Sequence, residues 1–189
     1  MSLSSIAPPA VEPVSLVEVK AQLRLTGTDE DALVTTLIAA AMRAVEAATD
    51  TALITRRMRF SLDAWPGDGI VAMPVGPVRS VEAIRVFDAN GVAAAVDASR
   101  VRIDQSALRP RLLISGPRPT PGLPLGGIEI DHTVGFGANA ASVPDPLRLA
   151  VRMLAVRWFE RRGDDEPDRG PIAADVAALI APFRSPRLA

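Results

Sequence analysis

The sequence contains no cysteine, one histidine and only one lysine among its 21 basic residues. Without cysteine the chain cannot form disulfides, use a thiolate nucleophile or bind zinc through sulfur. The longest uninterrupted apolar runs fall short of a membrane span. Residues 1–14 also lack the basic start and the apolar run of a signal peptide. We therefore expect a soluble protein that is made inside the cell and has no membrane partner.

The rest of the composition is that of an ordinary globular protein. The 189 residues are 48% hydrophobic and 23% charged, which is enough for one domain with a sizeable core. The formal net charge is −1, so no overall basic field attracts nucleic acid. The preference for arginine over lysine fits a GC-rich coding sequence best. It also fits protein interfaces, where the planar guanidinium group is favoured.

The first part of the chain predicts two helices. Ser15 and Glu18 have the spacing of a capping box, and the short amphipathic helix that follows is closed by Gly27. Thr28 is the expected N-cap of a long alanine-rich helix that ends near Thr49. This second helix has a broad apolar face and is predicted to be the core helix.

Two more helices are predicted near the other end of the chain. One begins at Pro144, since proline is tolerated in a first turn, and a short one spans Ile172 to Ile180. The two longest helices should pack together through apolar stripes. These stripes consist of Leu33, Leu37, Ala41 and Val45 in the first and Leu147, Val151, Leu154 and Trp158 in the second.

Between the helices the hydrophobic period changes to that of strands. Candidate strands lie at about 54–62, 70–73, 79–87, 99–104, 111–115 and 127–134. The Asn90-Gly91 pair predicts a hairpin turn, and the proline-rich segment 116–126 predicts an exposed loop. The fold class is therefore α+β, with a helical core of about four helices and an inserted antiparallel β sub-domain.

The predicted organisation is one domain with two flanking segments. Residues 1–14 hold three prolines and are expected to form a flexible N-terminal arm. The domain spans 15–181 and contains the β insertion at about 52–134. Residues 182–189 form a C-terminal tail.

The sequence offers little catalytic chemistry. His132 is the only candidate general base, and a lone histidine on a strand is far more often a packing residue. The acidic cluster within 163–171 lacks the spacing of a calcium loop. The glycines at 126–127 and 135–137 do not form a phosphate loop. No catalytic, cofactor-binding or metal-binding residue is predicted, and we expect no enzyme activity and no cofactor. The alternative interpretation is a small soluble binding module, or a hydrolase built on the β segment with His132.

The order of these elements resembles the phage head–tail connector family, also called head-completion or adaptor proteins, in the form found in tailed phages, prophages and gene transfer agents. The matching segments are residues 15–66, then GPVRSVEAIRVFDANG at 76–91, then 128–163, and finally VAALIAPFR at 176–184. No one segment is a strict signature, but the combination in this order is fairly specific. The arm and the loop 116–126 match least.

The resemblance implies a structural role at the head–tail junction of a virion or phage-like particle, in a protein made in the bacterial cytoplasm. Such proteins form a ring, commonly a dodecamer, beneath the portal protein. The ring extends the channel for double-stranded DNA, without sequence-specific binding, and docks a stopper or tail-completion protein. The resemblance places the portal contact at Phe183, Arg184 and Arg187, on a tail expected to be mobile in the free subunit.

A ring requires two different lateral faces on each subunit. We expect arginines of the β region to meet acidic residues of the neighbouring subunit. The candidates are Arg79, Arg85, Arg100 and Arg102.

Overall fold

The computed structural model describes residues 1–105, 109–162 and 172–184. Within these ranges the chain forms four α-helices and eight β-strands. The helices are α1 (Leu16–Leu23), α2 (Asp31–Thr49), α3 (Asp145–Glu160) and α4 (Ala174–Ile180). The strands are β1 (Ser2–Ser5), β2 (Arg56–Leu62), β3 (Ile70–Ala72), β4 (Val78–Phe87), β5 (Ala93–Val96), β6 (Val101–Asp104), β7 (Arg111–Ile114) and β8 (Ile128–Val134). The α+β class predicted from the sequence is confirmed.

The chain divides into two compact units. The helical unit comprises Ala10–Ile54 and Phe136–Ala189, and the β unit comprises Met1–Pro9 and Thr55–Gly135. The β segment is therefore inserted between the two halves of the helical unit, and the sequence placed it at about 52–134. The description of 15–181 as a single domain stays a prediction.

The apolar faces of α2 and α3 form the centre of the helical unit. Ile38 on α2 and Leu154 on α3 are 2% and 0% exposed and belong to one buried cluster. Val19 of α1 and Ile180 of α4 join the same cluster. All four helices thus bury apolar side chains in a single core, built from segments on both sides of the β insertion.

The structure buries Ala41 and Val45 of the stripe predicted on α2, but in the first half of the helix it buries the residues that follow the predicted Leu33 and Leu37. Leu33 is 37% exposed and Leu37 is only half-buried, whereas Val34 and Ile38 are buried. The helix has apolar residues at consecutive positions, so its sequence allows either stripe, and packing against the other helices selects one. In α3 the expected Leu147, Val151 and Leu154 are buried, but Phe159 is buried in place of the half-buried Trp158.

The predicted capping box at the start of α1 is present. The backbone N–H of Ser15 donates to Glu18 Oε2 at 2.7 Å, and the backbone N–H of Glu18 donates to Ser15 Oγ at 3.2 Å. The end of α1 differs from the prediction. Arg24, with φ of 56°, takes the left-handed position that was assigned to Gly27. The helix therefore stops earlier than the glycine suggested.

Lys20, the only lysine, organises the connection between α1 and α2. Its Nζ donates to the carbonyl oxygen of Gly27 at 2.6 Å and to Asp31 Oδ1 at 2.5 Å. The N-cap of α2 is Glu30 and not Thr28, whose carbonyl oxygen accepts from the backbone N–H of Asp31 at 3.1 Å. The carbonyl of Thr28 thus closes a turn, which moves the start of α2 towards Asp31.

The β unit contains two antiparallel sheets. The larger has the strand order β1-β2-β8-β4-β5, and the smaller has the order β3-β7-β6. Alternation along the strands places apolar side chains on one face of the larger sheet. The buried residues on this face include Phe60, Leu62, Ile84, Val86, Ile128, Ile130 and Val134. The unit therefore has an apolar core of its own.

Most predicted strands are present, with two differences in the segment after the Asn90-Gly91 turn. The Asn90-Gly91 turn is confirmed, with Gly91 at φ of 78°, but the strand after it, β5, was not predicted because its Ala-Ala-Ala-Val sequence has no alternation. The strand expected at 99–104 begins only at Val101. The preceding residues Ala98–Arg100 form a 3-10 turn, which the side chain of Asp97 caps.

The N-terminal arm begins with a short strand that the sequence did not predict. Residues Ser2–Ser5 form β1, which pairs antiparallel with β2 and places Leu3 opposite Phe60. This part of the arm is therefore extended and paired, and the flexibility of residues 1–14 stays a prediction. A serine-rich strand has no hydrophobic signature, and β1 is held by backbone hydrogen bonds to an available sheet edge.

Helix α2 is long and apolar enough to cross a membrane by length and composition alone. The core helix of a globular protein has the same properties. Val34, Ile38 and Val45 are buried in the helical unit, so packing within the protein accounts for the apolar face. The uninterrupted apolar runs of the sequence are too short to predict such a helix. α2 reaches this hydropathy only as an average over apolar and polar residues.

Truncating the central contacts should destabilise the protein strongly. We expect Ile38→Ala and Leu154→Ala each to lower the free energy of unfolding by about 2–5 kcal/mol, because each leaves a cavity in a fully packed site. Chemical denaturation followed by circular dichroism measures this change.

Leu33→Ala is the matched control on α2, since Leu33 is 37% exposed. We expect it to cost less than about 1 kcal/mol. Equal effects for Leu33→Ala and Ile38→Ala would contradict the observed orientation of α2 and restore the stripe predicted from the sequence.

Candidate functional site

His132 lies on the core-bearing face of the larger sheet. Its side chain is fully buried, although a surface or half-buried position was expected, and its Nδ1 lies 3.1 Å from the carbonyl oxygen of Ile130. Burial lowers the pKa of His132, which favours the neutral ring. Asp131 precedes it on β8, so the two side chains point to opposite faces of the sheet. This geometry does not support a Ser-His-Asp arrangement.

The opposite face of the larger sheet carries a compact network of charges. Asp131 on β8 accepts from Arg59 Nε at 2.6 Å and from Arg59 Nη2 at 3.0 Å. It also accepts from Arg85 Nη1 at 2.8 Å. Glu129 Oε2 lies 3.3 Å from Arg59 Nη1 and 3.7 Å from Arg85 Nη1. Two arginines from β2 and β4 therefore neutralise two carboxylates on the central strand between them.

Asp131 is the centre of this network. Its side chain is 3% exposed, whereas the two arginine side chains are about one-third exposed. Hydrogen bonds from Arg59, and then from Arg85, lower the pKa of Asp131 to about 2, although burial opposes this shift. The carboxylate is therefore ionised throughout the physiological pH range.

Arg85 and Arg100, which were expected at a subunit interface, make contacts within the subunit that the structure shows directly. Arg85 pairs with Asp131, as described above. Arg100 donates from Nε and Nη2 to the carbonyl oxygen of Ser115 at 2.8 and 2.6 Å, and from Nη2 to that of Pro117. Arg100 thus fastens the start of the proline-rich loop to the 3-10 turn that precedes β6.

The other two arginines lie on the surface of the β unit. Arg79 is exposed at the start of β4. Arg102 is exposed on β6 and lines a groove of about 590 Å³ together with Asp104 and Arg111. In that groove Arg111 Nε donates to Asp104 Oδ2 at 3.1 Å. The four arginines therefore do not form one cluster.

The C-terminal candidates begin on an ordered segment. Ala181–Phe183 form a 3-10 turn, and Phe183 is half-buried against the core of the helical unit. Arg184 Nε donates to the carbonyl oxygen of Ala48 near the end of α2, at 3.2 Å. Phe183 thus covers an apolar surface of its own subunit, which the sequence analysis did not expect, and the mobility of the tail stays a prediction. Arg187 lies outside the described residues, as does the acidic cluster at 163–171.

The described residues contain no group of three or more acidic, histidine or cysteine side chains that suits a metal ion. The network around Asp131 is the feature that sequence reasoning missed. Opposite charges at outward-facing positions of Arg59, Arg85 and Asp131 were visible in the strand alternation. The strand order β2-β8-β4, which brings them together, was not.

Removing the central carboxylate should weaken the β unit. We expect Asp131→Asn to lower the free energy of unfolding by about 2 kcal/mol, the value that corresponds to a pKa lowered from 3.8 to about 2. Asp29→Asn, in the exposed loop before α2, makes the same chemical change and should cost less than about 0.5 kcal/mol.

The difference between wild type and Asp131→Asn should depend on pH with a defined sign. The folded state holds the pKa of Asp131 below its unfolded value, so the stabilisation is complete above about pH 4. It should decrease as the pH falls through about 2. Urea denaturation at several pH values tests this. A difference that stays constant down to pH 2 would contradict the role of the ionised carboxylate.

Comparison with known proteins identifies relatives of the whole chain. A family model for phage gp6-like head-tail connector proteins matches residues 13–107. A chain from the neck of an empty gene transfer agent particle, computed with C6 symmetry, is 35% identical, with a TM-score of 0.84. A chain from the virion of a native gene transfer agent particle is 36% identical, with a TM-score of 0.81. A third, from a native particle neck computed with C12 symmetry, is 34% identical, with a TM-score of 0.77.

Each of these three matches covers 100% of this chain and 98% of the other. A comparison with curated protein sequences found no match. The family model spans half of the chain, and the structural relatives share its fold at more than 30% identity over its full length. The resemblance inferred from the sequence is therefore confirmed, and the chain belongs to the phage gp6-like head-tail connector family.

Proposed function

We propose that this protein is a structural connector in the neck of a tailed phage or gene transfer agent particle. In this proposal it forms a ring beneath the portal, extends the DNA channel and docks the next stopper or tail-completion protein. The supporting observation is the similarity of the entire chain, at 34–36% identity, to chains of gene transfer agent particles and their necks. Two of these necks were computed with C6 and C12 symmetry, which supports a ring.

The charge distribution suits a conduit for DNA. A protein that neutralises many phosphates binds DNA tightly, which would hinder its passage. The net charge here is −1, and Arg59 and Arg85 are neutralised by Asp131 and Glu129 within the subunit. The charges of these two arginines are thus held in pairs within the subunit. The burial of His132 leaves the alternative of a hydrolase without a supporting observation.

We also propose that the end of the chain contacts the portal, through Phe183, Arg184 and Arg187. Aromatic and arginine side chains often dominate the binding energy of interfaces. Phe183 is half-buried, so it presents only part of its ring, and it also holds the segment on the helical unit. Arg79 and Arg102 have exposed side chains and stay candidates for contact with a neighbouring subunit.

Particles made without this protein should fail at the head–tail junction. We expect filled heads without tails, or heads that lose DNA, and restoration of joined particles by a plasmid copy of the wild-type gene. Electron microscopy of particles from the deletion strain, with and without the plasmid, provides the measurement. Heads joined normally to tails in particles that lack the protein would overturn the proposed function.

The portal contact can be separated from the fold of the subunit. Removal of residues 185–189 leaves Phe183 and Arg184 in place, so we expect unchanged thermal stability but weaker binding to purified portal protein. Phe183→Ala should instead lower the free energy of unfolding by about 1 kcal/mol, because the ring is partly buried.

Arg187→Ala tests whether the charge of Arg187 contributes to portal binding. Arg43→Ala, on the exposed side of α2, is the control because it also removes one arginine. Only Arg187→Ala is expected to weaken portal binding. If the truncated protein and Arg187→Ala both bind the portal as tightly as wild type, this contact lies elsewhere on the protein.

A further inference from the structure

We propose that neighbouring copies of this chain join through the edges of the larger β-sheet, with β5 of one copy pairing with β1 of the next. The inference rests on the proposed ring and names the surface that forms it. It is carried by the amino-acid content of the two edge strands, which differs from that of the strands between them.

The charges of this sheet are on its inner strands. β2, β8 and β4 contain Arg59, Arg85, Glu129 and Asp131, whereas β1 reads Ser-Leu-Ser-Ser and β5 reads Ala-Ala-Ala-Val. β1 and β5 occupy the two ends of the strand order. Each pairs on one side only in this sheet, so its other side presents backbone N–H and C=O groups that another strand can bind.

Proteins that remain monomeric usually protect such edges. The common devices are lysine or other charges, proline, bulges and very short strands. Neither β1 nor β5 contains a charge or a proline, and Val92 beside β5 is 64% exposed. The bulges of this sheet lie in the pairing of β4 with β8. The smaller sheet is different, because its edge strand β6 carries Arg102 and Asp104.

The two edges are suited to each other. Each has four residues, and each places one larger apolar side chain on the face that bears the core: Leu3 opposite Phe60, and Val96 opposite Ile84. The other side chains are serine or alanine, which let two backbones approach closely. Pairing would therefore continue both the hydrogen bonding and the apolar face from one copy to the next.

The strand that pairs with each free edge comes from a second copy of this chain, because the two edges of the sheet differ from each other. Pairing of β5 with β1 is heterologous, so each copy keeps one free edge of each kind and further copies add in the same direction. Such a series closes into a ring when the rotation between copies permits. Pairing of β5 with another β5 would stop at a dimer. The cyclic symmetry of the related necks favours the first arrangement.

The absence of cysteine allows a direct test by cross-linking. Ser4 and Ala95 lie on the same face of the sheet, opposite Arg59 and Arg85. Assembled particles containing the double variant Ser4→Cys/Ala95→Cys should yield a ladder of covalent multimers with a short bifunctional thiol reagent. The single variants should give no ladder, and neither should Thr36→Cys/Ala95→Cys, which pairs the same edge with an exposed position on α2.

A charge on the edge tests the same contact without thiols. Ala94→Lys places a lysine on β5, and Asn90→Lys adds the same charge in the adjacent exposed turn. We expect Ala94→Lys to fold, as judged by its thermal unfolding, but to be lost from the particle neck, whereas Asn90→Lys is incorporated normally. If Ala94→Lys does not fold, Ala93→Lys on the other face of β5 replaces it.

The outcomes distinguish this inference from the proposed function. Incorporation of folded Ala94→Lys or Ala93→Lys at the wild-type level overturns the edge contact and leaves the connector function intact. The edge contact is also overturned if particles contain the cysteine double variant but yield no ladder of cross-linked multimers. If wild-type protein is itself absent from purified particles, the proposed function fails and this inference fails with it.

Discussion

The burial of the apolar faces of α2 and α3 against each other is the constraint on which the helical unit depends. Ile38 and Leu154 belong to segments separated by the whole β insertion. The helical unit also holds the two ends of that insertion side by side. The backbone N–H of Phe136 donates to the carbonyl oxygen of Leu53 at 3.3 Å, and Ile54 forms a bridge with Gly137. The chain can therefore leave and re-enter the core without interrupting it.

Several arginines form ion pairs and hydrogen bonds within the subunit. Some arginines hold the subunit together: Arg59 and Arg85 bind the buried Asp131, and Arg148 binds Glu18 at 2.9 Å and the carbonyl oxygen of Pro13 at 3.1 Å. The planar guanidinium suits these sites because it donates in several fixed directions. Internal pairing also limits the positive charge that is offered to phosphate.

Sequence reasoning succeeded where a local pattern has one physical meaning. The capping box of Ser15 and Glu18, the Asn90-Gly91 turn and the alternating strands β2 and β8 were all predicted. It failed where the signal is absent or ambiguous. β1 and β5 are small, uniform strands that exist because a sheet edge is available to them. Helix α1 ends at Arg24, although Gly27 nearby had been predicted to close it.

The family, the α+β class and the order of the elements were determined by the sequence, because hydrophobic periodicity, caps and turn residues act over a few neighbouring positions. The tertiary structure alone decided which face of α2 is buried, that Phe183 packs on the core, and that Arg85 is committed to Asp131. It also decided that the edges of the larger sheet are uncharged, since a strand becomes an edge only through its neighbours. These features depend on contacts between residues far apart in the chain, and no local pattern records them.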